Sequence, residues 1–80
     1  MTQTEIQNII IEEILNIAPD IEENEIELNE NIQRSLEIDS FDFLNMLVAL
    51  KERIGVEVPE ADYAKVDTVE NMSGYFMERL

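Results

Sequence analysis

Isoleucine recurs near the start of the chain at steps of three and four: Ile6, Ile9, Ile10, Ile14 and Ile17. Side chains at that spacing share one face of an α-helix, whereas a half-buried strand alternates every second residue. The opening segment is therefore an amphipathic helix whose apolar stripe must be buried on something else. Thr2 and Thr4 are followed three residues later by Glu5 and Gln7, two overlapping capping-box patterns that satisfy free amides at a helix start. Pro19 stops the pattern, which places this first helix at roughly 3–17.

A second apolar pattern runs from Asp39 through Leu44, Leu47, Val48, Leu50 and Ile54, and Gly55 stands where a left-handed residue ends a helix. Asp39 and Asp42 at its start and Lys51 and Arg53 in its last turn suit the helix dipole, so a second helix is expected over roughly 40–53. Residues 19–38 carry Ile21, Ile26, Leu28, Ile32 and Leu36 without a sustained stripe, and are expected to form a long loop anchored on the core. Val56-Glu57-Val58-Pro59 reads as an extended connector and Glu60 to Lys65 as a short third helix. Thr68 caps a last helix with Val69, Met72, Phe76 and Leu80 on one side. Gly74 within it costs about 1 kcal/mol relative to alanine, which makes this the least stable of the long elements. The fold class is all-α: a small four-helix bundle with a long first connection, in a single domain over 1–80. Met46, Met72, Met77, Phe43, Tyr75 and Phe76 are expected in its core.

A chain of 80 residues buries only about 60–65% of its unfolded surface, which leaves little room for a deep substrate cavity. It has no cysteine and no histidine, so disulfides, thiolate metal sites and the usual general base near neutral pH are all excluded. Nineteen acidic residues against five basic ones give a formal charge of −14, which repels phosphate backbones and anionic lipids. No nucleic-acid or membrane partner is expected, and basic patches on other proteins are the natural ones. The N-terminus lacks a basic stretch before an apolar run, and no window approaches the ~18 apolar residues of a membrane span, so a cytoplasmic protein is expected. Mutual repulsion favours a monomer, opposed only by an exposed Phe41 or Phe43. The acidic run Asp20, Glu22, Glu23, Glu25, Glu27, Glu30 fails as a calcium loop: the sixth position is Glu25 where a glycine is required, and the twelfth is Asn31 where a bidentate glutamate is required.

Ser40 sits between Asp39 and Phe41 at the start of the second helix, where free amides point outward and anions are stabilised. With no histidine and no lysine near it in sequence, nothing activates it for attack, so the chemistry suggested is its modification by another enzyme. An isolated Asp-Ser pair is far more often a simple helix cap, supplied by Ser40 or Asp39. The wider pattern is more specific. Leu36-Glu37-Ile38-Asp39-Ser40-Phe41-Asp42-Phe43-Leu44, then Ala49-Leu50, Ile54, Val58-Pro59 and Thr68-Val69, in this order of elements, resembles the acyl carrier protein family across nearly the whole chain.

The resemblance implies a carrier without enzymatic activity. Ser40 would receive 4′-phosphopantetheine from coenzyme A through a magnesium-dependent phosphopantetheinyl transferase (holo-acyl-carrier-protein synthase), and the thiol of that arm would hold acyl groups as thioesters. It further implies that the acidic face of the second helix docks on basic patches of acyl-transferring or condensing enzymes. Phe41 would supply an apolar contact there, and Asp39, Asp42 and Glu52 charged ones. Phe41 stands where the family most often has leucine, Glu37-Ile38 replaces a commoner glycine-containing pair, and Asn45 and Lys51 stand where fatty-acid carriers usually show glutamate. These departures point to a specialised member serving fatty-acid, polyketide or related biosynthesis. An aminoacyl or D-alanine-type carrier, and an acidic interaction module without a prosthetic group, remain as alternatives.

Overall fold

In the computed structural model, which describes all 80 residues, Thr2 starts the first helix, α1 (Gln3–Ile17). Its hydroxyl accepts from the Glu5 amide at 3.2 Å, and the Glu5 carboxylate accepts from the Thr2 amide at 2.9 Å. The bond from that amide, with a smaller contribution from the Thr2 side chain, holds the Glu5 carboxyl below its ordinary value. Ile6, Ile10 and Ile14 are fully buried, the stripe that the spacing defines. After α1 come α2 (Ile32–Leu36), α3 (Ser40–Ile54) and α4 (Val69–Arg79), with 3₁₀ segments at Glu23–Glu25 and Glu60–Val66 and no strand.

α1 packs against both α3 and α4. The inward side of α3 carries Phe43, Met46, Leu47, Leu50 and Ile54, and that of α4 carries Val69, Met72, Tyr75 and Phe76. Burying each large aliphatic or aromatic side chain contributes about 1.5–3 kcal/mol, so these faces hold the bundle together. Polar groups at the core are satisfied. The buried Ser73 hydroxyl donates to the Glu70 carbonyl at 2.8 Å and accepts from Gln3 at 3.4 Å. Arg53, from the last turn of α3, donates to Glu12 at 2.7 Å and to Glu13 at 2.9 Å, so one planar guanidinium ties α3 to two adjacent residues of α1. Those two bonds raise the Arg53 pKa from its ordinary value, Glu12 contributing most.

The connection between α1 and α3 is long, as expected, but it is not structureless. Asn31 caps α2 by accepting from the Arg34 amide at 2.9 Å, and Glu37 ends it in the left-handed region at φ 55°. One helical turn gives only Ile32 and Leu36, at spacing four, too short a stripe to be recognised by period. The segment is fastened to the start of α4, where the Ile32 amide donates to the Asp67 carbonyl at 2.8 Å and the Glu70 amide to the Leu28 carbonyl at 2.9 Å. Both donors are helix-start amides without intrahelical partners, so each end serves the other. The expected short third helix is the 3₁₀ segment Glu60–Val66, and α4 starts after Thr68, which accepts from Asn71.

Four apolar side chains expected inside lie outside. Leu44 and Val48 are exposed because the turn of α3 that buries Phe43 and Leu50 directs them the other way. Met77, one residue past the fully buried Phe76, is rotated off the inner face of α4, and Leu80 follows the last helical residue, where the helical register no longer places it. Phe43 is buried, which leaves Phe41 as the exposed phenylalanine of the pair.

Candidate functional site

Two tight backbone features bring the site together. Glu37 turns the chain out of α2 in the left-handed region, and the next residue, Ile38, is buried and donates its amide to the Gln33 carbonyl at 3.0 Å. Asp39 then lies extended and caps α3, its carboxylate accepting from the Asp42 amide at 2.8 Å. Capping is therefore the work of Asp39 and not of Ser40. Ser40 is the first helical residue, exposed, and its hydroxyl has one side-chain contact, the amide of Gln33 at 3.4 Å. No base touches it, so it is displayed and not activated. The amides of Ser40 and Phe41, which have no intrahelical acceptor, remain for water or an anion at the positive end of a 15-residue helix.

Asp39, Ser40, Phe41 and Asp42 thus share the first turn of α3 and the residue that caps it, while Glu52 lies about 18 Å along the axis at ~1.5 Å per residue. Phe41 is 71% exposed, and Leu44 and Val48 follow it at steps of three and four. Together with Asn45 and Glu52 they make one outer face, an apolar stripe on an otherwise strongly charged molecule. Leu44 and Val48 were absent from the expected site because they read as core. Laying α3 out at 100° per residue, with Phe43 and Leu50 inward, is enough to place them beside Phe41. Gln33 carried no signal in the sequence: seven residues from Ser40, it reaches the hydroxyl only through the corner at Glu37.

Farther along α3, Lys51 pairs with Glu57 at 3.4 Å on the rim of a cleft of about 200 Å³ lined by Leu47, Val48, Val58 and Tyr63. A larger concavity of about 340 Å³ is polar, lies against α4, and includes none of the site residues. No group of three or more metal-ligating side chains converges anywhere in the chain, the acidic segment after α1 included. No helix is long and apolar enough to cross a membrane.

A family model described as the phosphopantetheine attachment site matches residues 6–76. The chain is also similar to the acyl carrier protein of Rubrobacter xylanophilus, 31% identical over 72 residues that cover 86% of this chain and 89% of that one. The chain belongs to the acyl carrier protein family. Other relatives of this carrier are the acyl carrier proteins of Lactobacillus johnsonii, 33% identical over 69 residues (86% and 85% of the two chains), and of Campylobacter hominis, 27% identical over 71 residues (89% and 84%). Family membership makes the protein a carrier and not an enzyme, gives it phosphopantetheine as prosthetic group, and implies dealings with a phosphopantetheinyl transferase and biosynthetic enzymes. The start of α3 fits such a group: the hydroxyl is exposed, capping is done by its neighbour, and unpaired amides face an anion joined there.

Proposed function

We propose that Ser40 is the residue to which 4′-phosphopantetheine is joined, and that this carrier delivers acyl groups to enzymes of a specialised biosynthetic pathway. The observation that carries the reading is the division of labour at the start of α3. Asp39 supplies the cap, so the Ser40 hydroxyl is exposed and free of structural duty. In the loading reaction the Ser40 oxygen forms a bond to the phosphorus of coenzyme A that bears the pantetheine arm. The bond from that phosphorus to the 3′,5′-ADP portion breaks, and the hydroxyl proton passes to a base that the transferase supplies. The joined group supplies a thiol on which acyl groups are held as thioesters.

Docking falls to the outer face of α3. Phe41 fills an apolar recess on the partner, and Asp39, Asp42 and Glu52 face basic side chains, which raises encounter rates and selects among partners. Asn45 and Lys51 on the exposed part of α3 remove or reverse negative charge that fatty-acid carriers usually place there, which favours partners outside housekeeping fatty-acid synthesis. A charge of −14 favours a monomer in the cytoplasm. Incubation with coenzyme A, magnesium and a broad-specificity transferase, followed by intact-mass measurement, tests the attachment residue. Wild type gains the mass of one phosphopantetheine and Ser40→Ala gains none. A wild type that gains nothing, or a Ser40→Ala variant that gains as much, refutes the reading.

A further inference from the structure

The side-chain amide of Gln33 lies 3.4 Å from the Ser40 hydroxyl oxygen, across the corner between α2 and α3. Its backbone is fixed at that corner, where its carbonyl accepts from the Ile38 amide at 3.0 Å, and the residue is half-buried. A glutamine amide has two N–H donors, and one hydroxyl oxygen engages only one of them. The adjacent residue, Arg34, is the one lysine or arginine outside an ion pair, since Lys51, Arg53, Lys65 and Arg79 are each tied to a carboxylate. One short helix therefore carries an amide donor with a spare N–H beside the Ser40 hydroxyl and, next to it in sequence, an exposed unpaired cation.

Building on the reading of Ser40 as the attachment residue, we propose that Gln33 is a positioning residue for the prosthetic group, its side-chain amide donating to the phosphate once this is joined to Ser40. Esterification makes the serine oxygen a poorer acceptor and adds charged oxygens one bond farther out, so the same donor gains a stronger acceptor. Hydrogen bonds to ionised acceptors are shorter and roughly twice as strong as neutral ones. The five residues of α2 are then pinned to the start of α3 more firmly in the loaded protein than in the unloaded one.

The test compares unloaded and loaded forms of the full chain for wild type, Gln33→Met and Gln33→Glu, with loading verified by intact mass. In nitrogen-labelled wild type the Gln33 side-chain amide signals shift on loading, and the backbone amides of α2 exchange more slowly. The difference in melting temperature between loaded and unloaded forms falls by roughly 2–4 °C in Gln33→Met, and further in Gln33→Glu, whose carboxylate faces the phosphate. Each variant is its own reference, so a general loss of stability does not obscure the difference. Loading that leaves the Gln33 signals unmoved and the difference unchanged in both variants overturns this inference alone. A wild type that takes up no mass overturns the reading of Ser40, and this inference with it.

Discussion

Replacing Asp39 and Ser40 one at a time separates two tasks that adjacent side chains perform at the start of α3. Asp39→Ala removes the acceptor that lies 2.8 Å from the Asp42 amide, and the loss of an N-cap costs about 0.5–2 kcal/mol. The same change also removes a negative charge from a chain at −14, which relieves repulsion, so the informative comparison is with Asp39→Asn. Asparagine caps about as well as aspartate and makes the identical charge change, so the gap between Asn and Ala isolates the cap at about 1 kcal/mol. In a domain of this size 1 kcal/mol shifts the melting temperature by roughly 4–8 °C. Ser40→Ala forfeits only an exposed contact at 3.4 Å and places the best helix former in the first turn, so its shift stays within about 4 °C. Thermal melts of the unloaded proteins followed by circular dichroism give these values, and intact mass after loading gives the functional readout. Asp39→Asn and Asp39→Ala keep the acceptor hydroxyl, whereas Ser40→Ala loses it. If Ser40→Ala melts as far below wild type as Asp39→Ala does, or if the Asn and Ala variants of Asp39 melt together, the division of labour is refuted.

The two glycines respond to alanine in opposite directions. Gly55 ends α3 at φ 87°, where an added Cβ costs about 1–2 kcal/mol, while a Cβ on Gly74 inside α4 meets nothing within 4 Å and gains about 0.5–1 kcal/mol. Gly55→Ala therefore melts below wild type and Gly74→Ala above it; the same sign for both refutes the assignment. Tyr75 donates to Asp62 at 2.6 Å and joins α4 to the 3₁₀ segment. The bond from Tyr75, then that from Lys65, lowers the Asp62 pKa, so its contribution holds above the ordinary carboxylate range and is lost as pH falls through the folded value. The same contact with Asp62, together with burial, raises the Tyr75 pKa, so that contribution holds below the ordinary phenol range and is lost as pH rises through the folded value. The urea midpoint of wild type should exceed that of Tyr75→Phe across neutral pH, with the gap closing at both extremes; a gap independent of pH refutes the contact.

Local signals were legible where they were long or chemically distinct. The isoleucine stripe with Thr2 and Glu5 fixed α1, and Asp39 with Gly55 fixed α3 to within a residue, because caps and periods act through neighbours in sequence. What depended on direction around a helix axis was less legible. Leu44 and Val48 have the same chemistry as Leu47 and Leu50, and only the choice of which side meets α1 makes one pair core and the other surface. The site divided in the same way. Asp39, Ser40 and Phe41 are consecutive and were visible together, whereas Gln33 joins them through a left-handed glutamate, a conformation that nothing in that residue type announces.

The absence of histidine and cysteine, which first spoke against catalysis, also suits the cargo of a carrier. A thioester is vulnerable to thiolates, to free amines and to water activated by a base. This chain offers no cysteine thiol and no imidazole, and both of its lysines are tied to carboxylates, Lys51 to Glu57 and Lys65 to Asp62. The serine to which the group is proposed to be joined has an amide beside it and no base. Reactivity is thus left to partner enzymes, and what the chain contributes is a helical support, a capped helix start and the exposed apolar stripe of Phe41, Leu44 and Val48, the face proposed for docking. On that proposal selection lies in which partner meets the stripe, and Lys51, three residues past Val48 and paired with Glu57 at 3.4 Å, sets a positive charge at its edge.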